Sequence, residues 1–326
     1  MRNAVICGVG AALPANEVSN AQLCAELDIT DEWISKRTGI SRRRFAPSGL
    51  TTEDLAAAAS EIALKSAGGC DVQGVVLATT TPDHRTPATA PGVATRLGLG
   101  SIPAFDLSAG CTGFLYGLAT GAGLIASAQA DAVLVVGVER LSTLPDLTDP
   151  VTRPIFGDGA GAVVLRAGTA QEPGALGPLV LGSDGEQSEL ILAPTTTTRN
   201  LRMEGRTVFR HAVTRMSEAC HTALERAGWD LRDVDRIAAH QANARITTFL
   251  GEHLGLGPER RLHNIERVGN TGAASIPLLL AESVGSGDLA SGHRLLLTAF
   301  GSGLTWGATT LVWPDLDTTV ENLVKD

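Results

Sequence analysis

Three residues that can share one reaction stand at turns built from small residues. Cys111 lies in Ser108-Ala-Gly-Cys-Thr-Gly113, His240 ends Ile237-Ala-Ala-His240, and Asn270 sits in Val268-Gly-Asn-Thr-Gly272. A thiol at a turn that opens a helix feels the positive end of the macrodipole, which predicts a lowered pKa and a nucleophilic thiolate. Taken singly, each residue has a plainer use: a buried structural cysteine, a satisfied core histidine, an asparagine tolerating a left-handed turn. Three such placements beside element ends are hard to attribute to packing. The order Cys, His, Asn also occurs in papain-like proteases, where the asparagine orients the histidine. That context is absent here, since the chain shows neither a signal peptide nor a disulfide framework.

The elements that must position these residues read as an α/β chain. Ala4 to Val9 has the pattern of a buried strand followed by a loop through Pro14, and Gly8, Gly10 and Pro14 interrupt an apolar run too short for a signal peptide. A helix begins near Ser19-Asn20. A second, with Thr30 as N-cap, carries Trp33 and Arg37 on one face, either as surface packing or as a platform for a flat charged ligand such as an adenine nucleotide. Arg42-Arg-Arg44 reads as a solvated face. An Ala-rich helix runs from Thr51 to Gly68 with Thr52 as its cap. Strands follow at Val75–Thr79, up to Asp106, and at Ala132–Val138, and helices alternating with them predict a largely parallel sheet.

Phe156-Gly-Asp-Gly and Phe300-Gly-Ser-Gly each lead into a β-rich run, which suggests two similar halves, 1–168 and 169–326, joined by the polar stretch Ala167 to Gly177. Neither stretch has the glycine spacing of a dinucleotide fingerprint. The second half holds a strand at Leu179–Ser183, a polar loop at Ala193–Arg206 with four consecutive threonines, and a helix from Val208 to Ala227. His240 then stands between a strand end and a helix start, as Cys111 does in the first half.

With 326 residues, 44% hydrophobic and 19% charged, the chain has material for a large core and two domains. A net charge of -9 and a pI near 5.3 argue against a nucleic-acid partner or an anionic membrane surface. Cys7, Cys24, Cys70, Cys111 and Cys220 are scattered, without metal-ligand spacing, as expected of a reducing cytoplasm and no bound metal. No uninterrupted apolar segment approaches the roughly 20 residues that span a bilayer.

At these residues the chain resembles the ketosynthase III family, the β-ketoacyl-acyl carrier protein synthase III branch of the thiolase fold. The motifs are Thr30-Asp-Glu-Trp33 with Arg37-Thr-Gly-Ile40, the Cys111 turn, and Phe156-Gly-Asp-Gly-Ala-Gly161. His240-Gln-Ala-Asn243, Gly269-Asn270-Thr and Ala299-Phe-Gly-Ser-Gly-Leu-Thr-Trp-Gly307 complete the set. The resemblance covers essentially the whole chain and implies two duplicated α/β halves in an α-β-α-β-α arrangement.

It further implies that Cys111 takes an acyl group from coenzyme A as a thioester, with the Cys111 N–H and one from the Gly301-Ser302-Gly303 loop, at Ser302, forming the oxyanion hole. His240 and Asn270 would bind the malonyl thioester carbonyl and stabilise the enolate left by carbon dioxide. Trp33 and Arg37 would clamp the adenine end of coenzyme A, while Gly205, Phe209 and Asn243 line the pantetheine tunnel. Arg210 and Arg245 would dock an acidic carrier protein. Where the family has an arginine, Pro150 stands here and Arg153 is the expected substitute. Thr112 follows the nucleophile in place of the more usual alanine or serine, and Ser302 replaces a glycine.

Thr86, at the family's dimer-crossing loop, would close the partner's primer pocket, in a homodimer, where acetyl-specific members carry phenylalanine. No permanently bound cofactor is implied; acyl-CoA and malonyl-acyl carrier protein are the substrates. Two other readings share the scaffold: an acyltransferase that passes the acyl group to an alcohol or amine without condensation, and a catalytically silent partner subunit. The intact Cys111, His240 and Asn270 disfavour the second, and Asn270 favours condensation over the first.

Overall fold

A computed structural model describes residues 2–194 and 200–324, so the threonines Thr195–Thr198 of the polar loop lie outside the described residues. The first strand, Asn3–Pro14, continues up to Pro14 through residues expected to form a loop. A Cβ on Gly8 would lie 2.4 Å from Ala63 O and one on Gly10 2.4 Å from Ala63 N. The two glycines therefore let the helix Thr52–Ser66 rest directly on the strand. Thr51, not Thr52, caps that helix: its hydroxyl accepts the Asp54 N–H at 3.0 Å and Asp54 accepts the Thr51 N–H at 2.9 Å. Thr52 is buried and donates to Thr81 O at 2.7 Å.

Six strands form the larger sheet, in the order Val320–Leu323, Asn3–Pro14, Asp158–Gly168, Ala132–Arg140, Val75–Ala78 and Ala104–Leu107. Five of the six strands run in one direction, so the sheet is largely parallel as expected, with one strand reversed. Asp158–Gly168 is antiparallel to both its neighbours, because a loop through Phe156 returns the chain alongside Ala132–Arg140 where a parallel pair would need a crossover. The smaller sheet orders Arg236–Ala239, Arg294–Gly301, Thr305–Val312 and Val180–Ser183, with one parallel pair and two antiparallel ones.

Between the sheets lie the helices Gly113–Ala126 and Ser275–Ser286. Their apolar side chains, among them Phe114, Leu118, Leu278 and Leu280, belong to one buried core with residues of both sheets. Thr52–Ser66 and Thr89–Arg96 cover the outer face of the larger sheet, and Gly205–Ala227 covers that of the smaller, with Ala244–His253 packed against it. The result is five layers, α-β-α-β-α.

The arginine triplet is not a solvated face. Arg42–Arg44 is a strand paired with Glu17–Ser19, and strand alternation sends its side chains to opposite sides. Arg42 and Arg44 meet Glu17 at 3.4 and 3.2 Å. Arg43 points inward, fully buried, and donates to Val18 O at 3.1 Å, Pro154 O at 2.9 Å and Asn20 Oδ1 at 2.7 Å. Burial lowers its pKa to about 10.

Candidate active site

Cys111 occupies a single 3-10 turn, Gly110–Thr112, between the strand Ala104–Leu107 and the helix Gly113–Ala126. Gly110 has φ +54, a left-handed conformation that suits glycine. The loop after Arg294–Gly301 presses on this turn: a Cβ on Gly301 would lie 2.6 Å from Cys111 N, and one on Gly110 2.3 Å from Ser302 Oγ. Thr112 is fully buried, its hydroxyl 2.9 Å from Thr305 Oγ1, which donates to Ala109 O at 3.0 Å. These contacts hold the Cys111 backbone from two sides.

The thiol corrects the expectation of a thiolate. Desolvation, reinforced by the Glu139 carboxylate, pushes Cys111 up to about 12 against a lowering backbone hydrogen bond. His240 directly follows the strand Arg236–Ala239, and its N–H donates to Thr298 O at 2.8 Å. Burial lowers its pKa to about 3, so the ring is neutral, with one nitrogen able to donate and one to accept. Both ring nitrogens lack a partner among the described residues.

Asn270 is clamped by backbone bonds to the Phe156 turn: its N–H donates to Ile155 O and its carbonyl accepts the Gly157 N–H, both at 2.9 Å. Its Oδ1 accepts the Gly272 N–H at 2.9 Å. Nδ2 has no partner among the described residues.

One cavity of about 880 Å³ brings these groups together. Cys111, His240, Asn270 and Ser302 line its buried part, and Trp33, Arg37, Gly205, Phe209, Asn243 and Arg245 line the part that reaches solvent. The Arg37 guanidinium stacks 4.2 Å from the centre of the Trp33 ring. Asn243 caps the helix Ala244–His253 by accepting the Arg245 N–H at 2.9 Å, and its Nδ2 donates to Arg37 O at 2.9 Å. That bond ties the Trp33 helix to the His240 turn.

Three expected residues lie elsewhere. Arg153 is engaged by Glu26 and Leu147 O and does not line the cavity. Arg210 is exposed on the helix Gly205–Ala227 and does not line the cavity. Thr86 is exposed in the 82–88 loop, away from the cavity of its own chain. Sequence reasoning missed Glu139, which lines the cavity and is fully buried. Its signal was a carboxylate closing the apolar run Ala132–Val138. It also missed the apolar wall of Leu141, Phe156, Leu201, Met203 and Phe300.

Family models for 3-oxoacyl-[acyl-carrier-protein] synthase III match residues 105–185, and its C-terminal part residues 224–313. A β-ketoacyl-[acyl-carrier-protein] synthase III of Streptomyces coelicolor is 52% identical, over 97% of this chain and 99% of its own length. The crystal structure of 3-oxoacyl-(acyl carrier protein) synthase III from Pseudomonas aeruginosa superposes with a TM-score of 0.94 at 50% identity, covering 97% of this chain and 99% of that one. A priming β-ketosynthase of a polyketide biosynthetic pathway superposes with a TM-score of 0.90 at 36% identity, covering 96% and 97%. The fold is thus thiolase-like, and from its match to these relatives over nearly its whole length the chain belongs to the β-ketoacyl-acyl carrier protein synthase III family.

Proposed function

We propose that this protein starts fatty acid or polyketide chains by joining an acyl-CoA primer to malonyl-acyl carrier protein in a decarboxylative Claisen condensation. The observation that carries this reading is the convergence of Cys111 with unpartnered donors on His240 and Asn270 in a cavity whose mouth bears Trp33 and Arg37. In the first step the Cys111 sulfur bonds to the acyl carbon, the carbon–sulfur bond to coenzyme A breaks, and the thiol proton leaves on the coenzyme. The N–H groups of Cys111 and Ser302 receive the oxyanion.

His240 and Asn270 then donate to the malonyl thioester oxygen. The bond to the carboxylate breaks, carbon dioxide leaves, and the electron pair becomes an enolate that attacks the acyl carbon. The bond to Cys111 breaks and its sulfur takes up a proton. Neutral donors suit this step because the charge they stabilise exists only as the reaction proceeds.

The remaining assignments follow the same reading. Trp33 and Arg37 hold the adenine end, Gly205, Phe209 and Asn243 the pantetheine arm, and Arg210 and Arg245 the carrier protein. Arg153, held by Glu26 and Leu147 O, takes no part in this binding. The halves 1–168 and 169–326 act as the nucleophile-bearing and donor-bearing units. The edge strand Ala104–Leu107, with Phe105 exposed, supports a homodimer in which Thr86 reaches the partner. Five free cysteines suit a cytoplasmic site of action. Among the described residues no helix is long and apolar enough to cross a membrane.

The test is release of labelled carbon dioxide from carboxyl-labelled malonyl-acyl carrier protein by enzyme primed with acyl-CoA. No release, with Cys111 acylated, would leave a simple acyltransferase.

A further inference from the structure

The strand Ala132–Arg140 is apolar through Val138 and then presents Glu139 in the wall of the cavity that holds Cys111. The Thr80 N–H meets the two Glu139 oxygens at 3.0 and 3.1 Å, the Thr80 hydroxyl one of them at 2.9 Å, the Thr81 hydroxyl at 2.6 Å, and the Ala273 N–H adds a further bond. Thr81 Oγ1 in turn accepts the Arg140 N–H at 2.8 Å, which aims its own proton at Glu139. A shell of donors is what an ionised carboxylate needs, although burial raises the group to about 7. The neighbouring Arg140 side chain turns to Asp83 at 3.4 Å. Gly272 packs against the carboxylate's stem, since a Cβ there would lie 2.9 Å from Glu139 Cγ. The carboxylate is therefore fixed in position in the wall of the cavity that Cys111 also lines, and with its pKa near 7 it is fully charged above neutral pH.

We infer that Glu139 is a specificity-determining residue whose fixed negative charge keeps carboxylate-bearing acyl groups from being loaded onto Cys111. Malonyl groups are thereby held to the extender role while neutral acyl groups prime. This rests on the acyl-cysteine reading above. Loading forms the Cys111 sulfur–carbon bond, breaks that to coenzyme A and sends the thiol proton out with the coenzyme. None of this changes the charge on the acyl tail, so a second anion stays beside Glu139 in a water-poor pocket.

The experiment compares acyl adducts on Cys111 by mass after brief exposure to coenzyme A esters matched in shape. Malonyl-CoA is set against isovaleryl-CoA, which replaces the carboxylate by two methyl groups, and β-alanyl-CoA against butyryl-CoA. Malonyl loading is expected on the order of 10–100-fold below isovaleryl, the size of like-charge repulsion at a few ångströms. β-Alanyl, a cation, should suffer far less against butyryl. Glu139→Gln should raise the malonyl-to-isovaleryl ratio, and Glu139→Asp, which keeps the charge, should leave it low. Because Gln sets an amide N–H₂ against a shell of donors, the comparison of anion with cation in the unaltered protein serves even if that variant misfolds. Equal penalties for the two charges, or equal loading of malonyl and isovaleryl, would overturn the inference. No adduct from either neutral ester would instead overturn the acyl-cysteine reading beneath it.

Discussion

Asn270 Oδ1 accepts the Gly272 N–H at 2.9 Å, and this bond decides which end of the amide meets the cavity. With the oxygen engaged, Nδ2 is left as a donor facing the substrate space. Asn270→Ala should therefore cut malonyl decarboxylation by about 10²–10³, the usual cost of one oxyanion donor, and slow Cys111 acylation far less. Asn270→Asp, which keeps the acceptor and loses the donor, should do the same. Labelled carbon dioxide and the acyl adduct read the two steps separately. Equal losses in both would remove Asn270 from the decarboxylation step.

The Cys111 thiol, raised to about 12 by burial and Glu139, is protonated near neutral pH. His240, lowered to about 3, is neutral there and does not hold a thiolate as an ion pair. Alkylation of Cys111 by iodoacetamide should then rise about tenfold per pH unit across the neutral and mildly alkaline range. A plateau below about pH 8 would reveal a preformed thiolate.

Arg37 stacks on Trp33 at the exposed end of the cavity. Arg37→Ala should raise KM for acyl-CoA by the equivalent of about 1–3 kcal/mol, typical of a lost charge-assisted contact, with kcat little changed. An unchanged KM would place the adenine end elsewhere.

Arg43 ties three parts of the chain together from inside. Arg43→Ala strands Val18 O, Pro154 O and Asn20 Oδ1 without their donor, and should cost about 3 kcal/mol or more in denaturant unfolding. Arg42→Ala, whose partner Glu17 is exposed, should cost under about 1 kcal/mol.

Thr86→Phe should shift primer preference toward acetyl-CoA if the exposed loop completes the partner's pocket. The chain-length profile of acyl-CoA use measures it. A profile unaltered by the bulkier side chain would confine Thr86 to its own loop.

The chemistry-bearing turns were legible in the sequence because glycine and alanine concentrate wherever backbone must approach backbone, as at Gly110 and Gly301 around Cys111. The Thr30 cap was legible for the same local reason, whereas the cap of the helix Thr52–Ser66 lies one residue earlier than expected, at Thr51. What depended on distant partners was not. The stretch from Gly10 to Pro14 read as a loop until the strand Asp158–Gly168 paired with it, and Arg43 read as solvated until Val18, Asn20 and Pro154 surrounded it. The same applies to charge. A helix-opening position favours a thiolate, but the burial that raises Cys111, and the Glu139 carboxylate beside it, come from strands and loops far along the chain. Local sequence determined which residues could react; the tertiary structure decided their ionisation, because desolvation and Coulomb interaction depend on what surrounds a group in space.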